Sequence, residues 1–194
     1  MSKRILVLTG SPRKNGNTNT VVKWFTDGAR GAGADVEVVD VASLKSKNNG
    51  CIACMGCQKS EKYECVVDDE VKPVLKRIPD YDVVVFATPT YFFGPSAQIK
   101  LLMDRMYSLI KFDPARGCYT HKLSRLKWAL ICTAGGDINP GPALVEQTFK
   151  TIAGFIGSNC DSLLVPNASM YSDELRHNTA LREEAMAFGR KLAS

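Results

Sequence analysis

Four cysteines lie in one short stretch of this chain of 194 residues, in the run CIACMGCQKSEKYEC. Cys51, Cys54, Cys57 and Cys65 follow the spacing C-x2-C-x2-C-x7-C. Three cysteines in steps of three can converge on one side of a tight turn, and the fourth follows a stretch long enough to fold back. Because an iron–sulfur cluster needs four thiolates close together, this spacing most simply predicts a cluster-binding set.

A zinc ion with four cysteine ligands is the alternative, although structural zinc usually draws on two cysteine pairs a dozen or more residues apart. The chain holds seven cysteines, and in a protein without a secretion signal these are expected to be metal ligands or buried thiols rather than disulfides. Cys132 and Cys160 lie in or beside apolar runs, which predicts small core residues. Cys118 lies in a polar stretch and by itself predicts nothing.

The bulk composition is that of an ordinary globular protein, with 45% hydrophobic and 23% charged residues. The net charge of +5 is spread along the chain, which suits anionic small ligands but offers no nucleic-acid motif. Since no apolar run approaches the roughly 18 residues of a membrane span, we expect no membrane partner. The short apolar run at residues 5–8 predicts a first strand rather than a signal peptide, and therefore a cytoplasmic protein.

Strand and helix patterns alternate along the chain, which predicts an α/β fold. The predicted strands cover residues 3–10, 34–41, 82–90, 126–136 and 160–167, and the predicted helices cover about 18–30, 68–78, 95–108, 142–156 and 173–192. Five such units predict a flavodoxin-like, doubly wound five-stranded parallel sheet in the order 2-1-3-4-5, with helices on both faces. We expect one domain over residues 1–194, with a Cys-rich insertion at about 45–68 and a loop at 111–122.

Three loops with unusual composition follow the predicted strands one, three and four. They read TGSPRKNGNT, ATPTYFFGP and TAGGDINPG. Ligands of open α/β sheets bind outside the carboxyl ends of the strands, so these loops predict the site. The first offers hydroxyl, amide and guanidinium donors before a helix N-terminus that favours phosphate, and the second offers aromatic surface. The adjacent glycines of the third suit the edge of a flat ring, so together the loops predict a flat phosphorylated cofactor.

The motifs GSPRKNGNT, PTYFFGP with IKLLMDR, and TAGG after the fourth strand resemble the NADPH-dependent FMN reductase family, over about residues 3–190. The cysteine stretch followed by DDEV resembles its branch of iron–sulfur flavoproteins. The resemblance implies FMN bound by three loops, at Ser11, Arg13, Asn17, Thr18, Pro89, Thr90, Tyr91, Phe92, Gly94, Thr133, Ala134, Gly135, Gly136 and Asp137. It also implies a 4Fe-4S cluster on Cys51, Cys54, Cys57 and Cys65, of which Cys65 is specified least because its gap is at the long end for the branch.

This resemblance implies an FMN-dependent oxidoreductase that passes electrons between a reduced donor and an acceptor through FMN and the cluster. The donor would be a ferredoxin-like protein or NAD(P)H, and the protein would be a homodimer or homotetramer. No side chain is expected to act as a catalytic acid or base. Two alternatives remain open at this point: an NAD(P)H-dependent FMN or quinone reductase without a cluster, and a non-enzymatic flavin electron carrier or redox sensor.

Overall fold

The computed structural model describes residues 2–169, 171 and 174–194. Within them the strands are β1 (Arg4–Thr9), β2 (Asp35–Asp40), β3 (Val83–Tyr91), β4 (Gly94–Pro95), β5 (Ile110–Asp113), β6 (Cys118–His121), β7 (Lys127–Thr133) and β8 (Cys160–Val165). The α-helices are α1 (Asn17–Gly31), α2 (Gly56–Lys59), α3 (Val71–Arg77), α4 (Ala97–Arg105), α5 (Gly141–Phe155), α6 (Glu174–His177) and α7 (Thr179–Ala193). Short 3-10 turns cover Val41–Ser43, Ile78–Asp80 and Met106–Leu109.

Five strands form a parallel sheet in the spatial order β2-β1-β3-β7-β8. Numbered among themselves, these are strands 2-1-3-4-5, so the predicted order is confirmed. The short strand β4 pairs with β3 in the antiparallel direction and was not predicted. The order of the strands reverses between β1 and β3, and the carboxyl ends of β1, β3 and β7 leave the sheet at one edge.

Both faces of the sheet are buried, which explains why its strands read as nearly continuous apolar runs. In β1, Leu6 and Leu8 pack in a core cluster with residues of α3, α4 and α5. Ile5 and Val7 point to the opposite face and pack in a second cluster with residues of α1 and α7. Helices therefore cover both faces of the sheet, as predicted.

Helices α1 and α7 approach each other closely because a glycine of each lies at their contact. A Cβ atom on Gly189 would stand 2.2 Å from the carbonyl oxygen of Phe25 and 2.8 Å from the backbone nitrogen of Ala29. A Cβ atom on Gly28 would stand 2.2 Å from the carbonyl oxygen of Met186. This backbone contact fixes the direction of α1, the helix that the first loop enters.

The loop predicted at residues 111–122 is wrong, because β5 and β6 pair there as an antiparallel hairpin. Its strands have four residues each and are half exposed, so the sequence carries little of the alternation that predicts a strand. The Cys-rich insertion predicted at about 45–68, for which no helix or strand was predicted, contains the short helix α2.

The C-terminal helix predicted over residues 173–192 is divided at Asn178 into α6 and α7. Asn178 caps α7, since its Oδ1 accepts a hydrogen bond of 2.9 Å from the backbone of Leu181. The predicted first residue, Asp173, lies outside the described residues. No helix in the described ranges is long and apolar enough to cross a membrane.

A buried ion pair joins α4 to Asp69, which directly follows the cysteine segment (residues 45–68). The Arg105 guanidinium donates a bond of 2.7 Å from Nη1 to Oδ2 of Asp69, and the two side chains are only 1% and 2% exposed. Asp69 also accepts bonds from the backbone of Lys47 at 3.0 Å and of Val71 at 3.2 Å. Asp69 thus joins three places: the chain before the first cysteine at Lys47, the start of α3 at Val71 and the end of α4 at Arg105.

We expect Gly189→Ala to destabilise the fold, although the same change in an open helix would stabilise it by about 1 kcal/mol. The added methyl group must displace backbone atoms of α1, and such overpacking costs about 1–3 kcal/mol. Urea unfolding followed by circular dichroism measures the loss. Gly154→Ala in α5 is the matched control, because a Cβ there meets no described atom within 4 Å. Equal effects of the two changes would contradict the close approach of the helices.

The pH dependence of stability should report the ion pair. Burial alone would raise the pKa of Asp69, but the Arg105 and Lys47 hydrogen bonds and the Arg105 charge outweigh it and hold the pKa at about 2. A carboxyl with a lowered folded pKa stabilises the fold above its unfolded pKa of about 3.9 and loses that contribution as the pH falls toward its folded value. The contribution is about 2 kcal/mol at pH 7, and about half of it is lost by pH 3.

Asp69→Asn should therefore unfold in less urea than wild type at pH 7, and the difference between the two proteins should shrink on going to pH 3. The measurement is a urea titration at each pH. A difference that stays constant over this range would show that the Asp69 carboxylate does not carry the ion pair's contribution.

Candidate functional site

A cavity of about 260 Å³ lies at the carboxyl edge of the sheet, beyond β1, β3 and β7. Ten of the predicted site residues line it: Ser11, Arg13, Asn17, Thr18, Pro89, Thr90, Tyr91, Thr133, Ala134 and Gly135. The parallel register brings them together, since Thr9 pairs with Ala87 and Pro89 pairs with Thr133. The three loops predicted from composition therefore contribute to one cavity.

Four other predicted residues, Phe92, Gly94, Gly136 and Asp137, are not among the described lining residues. Phe92 is 98% exposed at the tip between β3 and β4, and Gly94 belongs to β4. Asp137 accepts a hydrogen bond of 2.7 Å from the backbone of Ile138 in its own loop. The carbonyl of Gly136 accepts one of 2.8 Å from the Asn167 backbone, so Gly136 holds the chain after β8.

Residues that the sequence did not single out complete the lining: Gly16, Ala168, Ser169 and Tyr171. Three of them follow β8, the neighbour of β7 in the sheet. The predicted order already places the carboxyl end of the fifth strand at the same edge. That topological signal could have found this segment, because its composition alone is ordinary.

Side-chain hydrogen bonds connect the loops that surround the cavity. The hydroxyls of Thr18 and Thr133 lie 2.8 Å apart, which joins the first and third loops in a buried position. The Ser96 hydroxyl donates a bond of 2.7 Å to the carbonyl of Gly10, which joins the first loop to the start of α4. The loops therefore support one another, and the wall that they form is preorganised.

The side-chain amide nitrogen of Asn17 bonds to the wall of the cavity. Its Nδ2 donates bonds of 3.0 Å to the carbonyl of Ala168 and 2.8 Å to the carbonyl of Ser169. Asn17 thus ties the segment after β8 to the start of α1. Asn17 lines the cavity, and its role toward a ligand stays a prediction.

The start of α1 has the features of an anion site. Its N-cap is Gly16, and within the described chain no side chain caps this helix. The backbone N–H groups of a first helical turn and the helix dipole favour a phosphate. Ser11 and Arg13 line the same end of the cavity. A Cβ on Gly16 would stand 2.9 Å from Cβ of Arg13, so the turn requires glycine there.

A second cavity, of about 340 Å³, is lined by all four clustered cysteines. Cys51 and Cys54 are exposed, and Cys57 and Cys65 are half-buried. The end of α4 and the turn after it form the opposite wall, with Asp104, Arg105, Tyr107 and Ser108. The predicted ligand set therefore surrounds one space.

The backbone of the cysteine segment turns sharply between the thiols. Ala53 and Met55 have φ angles of 52° and 56°, which non-glycine residues adopt only at a cost of about 1 kcal/mol or more. Such conformations persist where the surrounding structure enforces them, and they concentrate at functional sites. Gly50, with φ of 106°, packs against Asp104 of α4.

The hairpin β5–β6 is hydrogen-bonded to the cysteine segment at and next to α2. Gln58 of α2 donates a bond of 2.8 Å to the carbonyl of Ile110 and accepts one of 3.2 Å from the Phe112 backbone. The Lys111 ammonium donates to the carbonyls of Cys57 and Ser60. The hairpin that the sequence did not predict thus fixes the helix that carries Cys57.

Two cysteines outside the cluster of four, Cys132 and Cys160, have thiols in apolar surroundings. Burial raises the pKa of Cys132 to about 11, and this side chain is fully buried beneath Thr90. Burial likewise raises the pKa of Cys160 to about 12. Both thus remain protonated, as expected of core residues. All seven cysteines are free thiols in the described structure, and no three His, Cys, Asp or Glu side chains of its residues are grouped so as to hold a metal ion.

Comparison with known proteins agrees with the fold and the motifs. The family model described as NADPH-dependent FMN reductase matches residues 3–171. An iron-sulfur flavoprotein of Archaeoglobus fulgidus is 30% identical over 155 residues, covering 78% of this chain and 73% of that protein. An iron-sulfur flavoprotein of Methanocaldococcus jannaschii is 34% identical over 102 residues, covering 53% of this chain and 51% of that protein. The chain thus spans about half the length of this second relative.

A solved structure, the NAD(P)H:quinone oxidoreductase from Methanothermobacter marburgensis, superposes with a TM-score of 0.77 at 17% identity. The alignment covers 99% of this chain and 100% of that one, and it establishes the flavodoxin-like fold. With the family match over residues 3–171 and the relative from A. fulgidus, the chain belongs to the NADPH-dependent FMN reductase family, in its branch of iron–sulfur flavoproteins.

Proposed function

We propose that this protein is an FMN-dependent oxidoreductase that carries a 4Fe-4S cluster and passes electrons between a reduced donor and an acceptor. The observation that carries the proposal is a pair of cavities with different linings. One is lined by loops of the flavin-binding type and the other by all four clustered cysteines.

The first cavity has a polar part that suits the phosphate of FMN and an apolar part that suits its ring. Gly16, Ser11 and Arg13 surround the start of α1, where a phosphate would be held. Pro89 and Tyr91 offer flat apolar surface to a ring. At Gly135 an added Cβ would meet no described atom within 4 Å, so the backbone there is open to a ring edge. When bound, FMN accepts two electrons as a hydride and releases them singly or together.

The second cavity suits a cluster better than a single zinc ion. A zinc ion needs four sulfur atoms at about 2.3 Å from one centre. Each thiolate of a 4Fe-4S cluster binds a different iron atom, so its sulfur atoms lie farther apart around a larger space. Four thiols lining one space of about 340 Å³, three of them in steps of three along the chain, favour the cluster. When bound, a cluster transfers single electrons.

The remaining features of the proposal concern partners. The donor is NAD(P)H or a ferredoxin-like protein, and we assign no catalytic side chain. Phe92 and Phe93, which are 98% and 54% exposed, support a homodimer or homotetramer in which a neighbouring subunit covers the tip beside the flavin cavity. The net charge of +5 without basic blocks gives no support to a nucleic-acid partner, and we propose a cytoplasmic location.

Two alternatives are separated from this proposal by turnover with NADH, NADPH or reduced ferredoxin under anaerobic conditions. Turnover with a nicotinamide donor in protein that binds no iron would identify an FMN or quinone reductase without a cluster. Bound flavin without turnover from any donor would identify an electron carrier or redox sensor.

Arg13→Gln should weaken FMN binding by about 10–100-fold, because a charge-assisted hydrogen bond to phosphate is worth about 1.5–3 kcal/mol. Flavin fluorescence titration of the apoprotein measures the dissociation constant. Riboflavin lacks the phosphate, so its affinity should be the same in wild type and variant. Arg125→Gln, an exposed arginine outside the cavity, is the matched control for charge. A parallel loss of riboflavin affinity would argue against a phosphate role for Arg13.

Cys54→Ala should lose the broad visible absorption of a cluster and retain the flavin bands. Wild type purified without oxygen should contain about four iron and four sulfide per monomer. Cys118→Ala is the control, since this exposed thiol lies on β6 and does not line the cysteine cavity among the described residues. Wild-type protein with flavin bands alone and no iron would refute the cluster.

A further inference from the structure

The buried guanidinium of Arg105 makes more contacts than the pairing with Asp69 requires. Its Nη1 donates to Asp69 at 2.7 Å and to the Ser46 hydroxyl at 3.4 Å. Its Nη2 faces the sulfur of Cys65 at 3.5 Å and donates to the carbonyl of Val67 at 3.1 Å. One side of the fork therefore holds the carboxylate, and the other side holds the chain around Cys65.

Cys65 is the cysteine whose place the sequence specifies least. Seven residues separate it from Cys57, so spacing alone leaves its sulfur free to lie in many positions. The structure provides the missing restraint from α4, outside the cysteine segment. Arg105 donates a hydrogen bond to the carbonyl of Val67, two residues beyond Cys65, and its Nη2 contacts the Cys65 sulfur.

A lysine could satisfy the charge of Asp69 but could not make this set of contacts. The guanidinium presents its donors in a rigid planar fork, whereas the lysine ammonium is a point charge on a flexible stem. The Nε–H of Arg105 is also buried and makes no hydrogen bond to any described residue. The direction of the guanidinium is set by its bonds to Asp69, Ser46 and the carbonyl of Val67.

We propose that Arg105 is a positioning residue that sets Cys65 as the fourth ligand of the cluster and remains hydrogen-bonded to its sulfur when the cluster is bound. This inference rests on the cluster of the proposed function. Outer-shell donors to ligand sulfur orient the ligand and stabilise the reduced, more negative cluster. Arg105 therefore raises the reduction potential of the cluster in addition to retaining the iron bound at Cys65.

The test compares Arg105→Lys with wild type after anaerobic reconstitution with iron and sulfide. Fewer four-iron clusters are expected in the variant, with iron falling from about four toward about three per monomer. An EPR signal from three-iron clusters should appear in the oxidised sample, in which a four-iron cluster is silent. The remaining four-iron clusters should be reduced at a lower potential in a redox titration. FMN content and the melting temperature show that the variant is folded.

Arg77→Lys is the matched control, because Arg77 also forms a two-oxygen contact with a carboxylate, that of Glu37, at 2.9 Å and 3.1 Å, but on the exposed surface. It should leave iron content and potential unchanged. If Arg105→Lys also matches wild type in iron content, EPR spectrum and potential, the inference is overturned while the proposed function stands. A wild-type protein that binds no iron would overturn both.

A measurement on wild type decides the question if Arg105→Lys does not fold. Protein labelled with ¹⁵N-arginine is reduced, and pulsed EPR measures the hyperfine coupling between the cluster and nearby ¹⁵N nuclei. A ¹⁵N coupling from a guanidinium nitrogen, which unlabelled protein cannot give, would support the hydrogen bond to the Cys65 sulfur. Lack of coupling in a sample with a full cluster signal would overturn it.

Discussion

Parallel hydrogen bonding between β1, β3 and β7 brings the ends of three strands to one edge, and both cavities depend on it. The register that pairs Thr9 with Ala87 and Pro89 with Thr133 places three separate loops around a single space. It also places the start of α4 beside the first cavity, since Ser96 is bonded to the carbonyl of Gly10. Because α4 leaves from this fixed point, its last residue, Arg105, has a defined position against the cysteine segment.

Local sequence patterns predicted the features that depend on local chemistry. The buried run of β3 predicts a central parallel strand, and the loop from Ser11 to Thr18 predicts an anion site because its donors precede a helix. The cysteine spacing predicts that four thiols share a space, and all four line one cavity. The strand order and the shared space of the thiols follow from such local signals, in burial period and ligand spacing, whereas the anion site stays a prediction.

Partners distant in the chain were not predictable in this way. Nothing near Asn17 indicates that its amide binds the chain after β8, about 150 residues away, as its bond to Ala168 shows. Nothing near Asp69 selects Arg105 among the arginines of the chain. The hairpin β5–β6 was missed because its short, half-exposed strands depend on contacts with α2 rather than on an apolar face of their own. Such features come from tertiary packing, which overrides weak local preference.

The attachment of the hairpin to the cysteine segment has a further consequence for motion. A helix of four residues and an isolated two-stranded hairpin are each marginal in water. Here Gln58 and Lys111 bond α2 to the hairpin, and Tyr63, four residues after α2, bonds to the hydroxyl of Thr120 at 2.9 Å. Neither can open without breaking the contacts of the other, so the two form one cooperative unit with its own opening equilibrium. Their amide protons would then exchange with solvent together, at a rate separate from that of the central sheet.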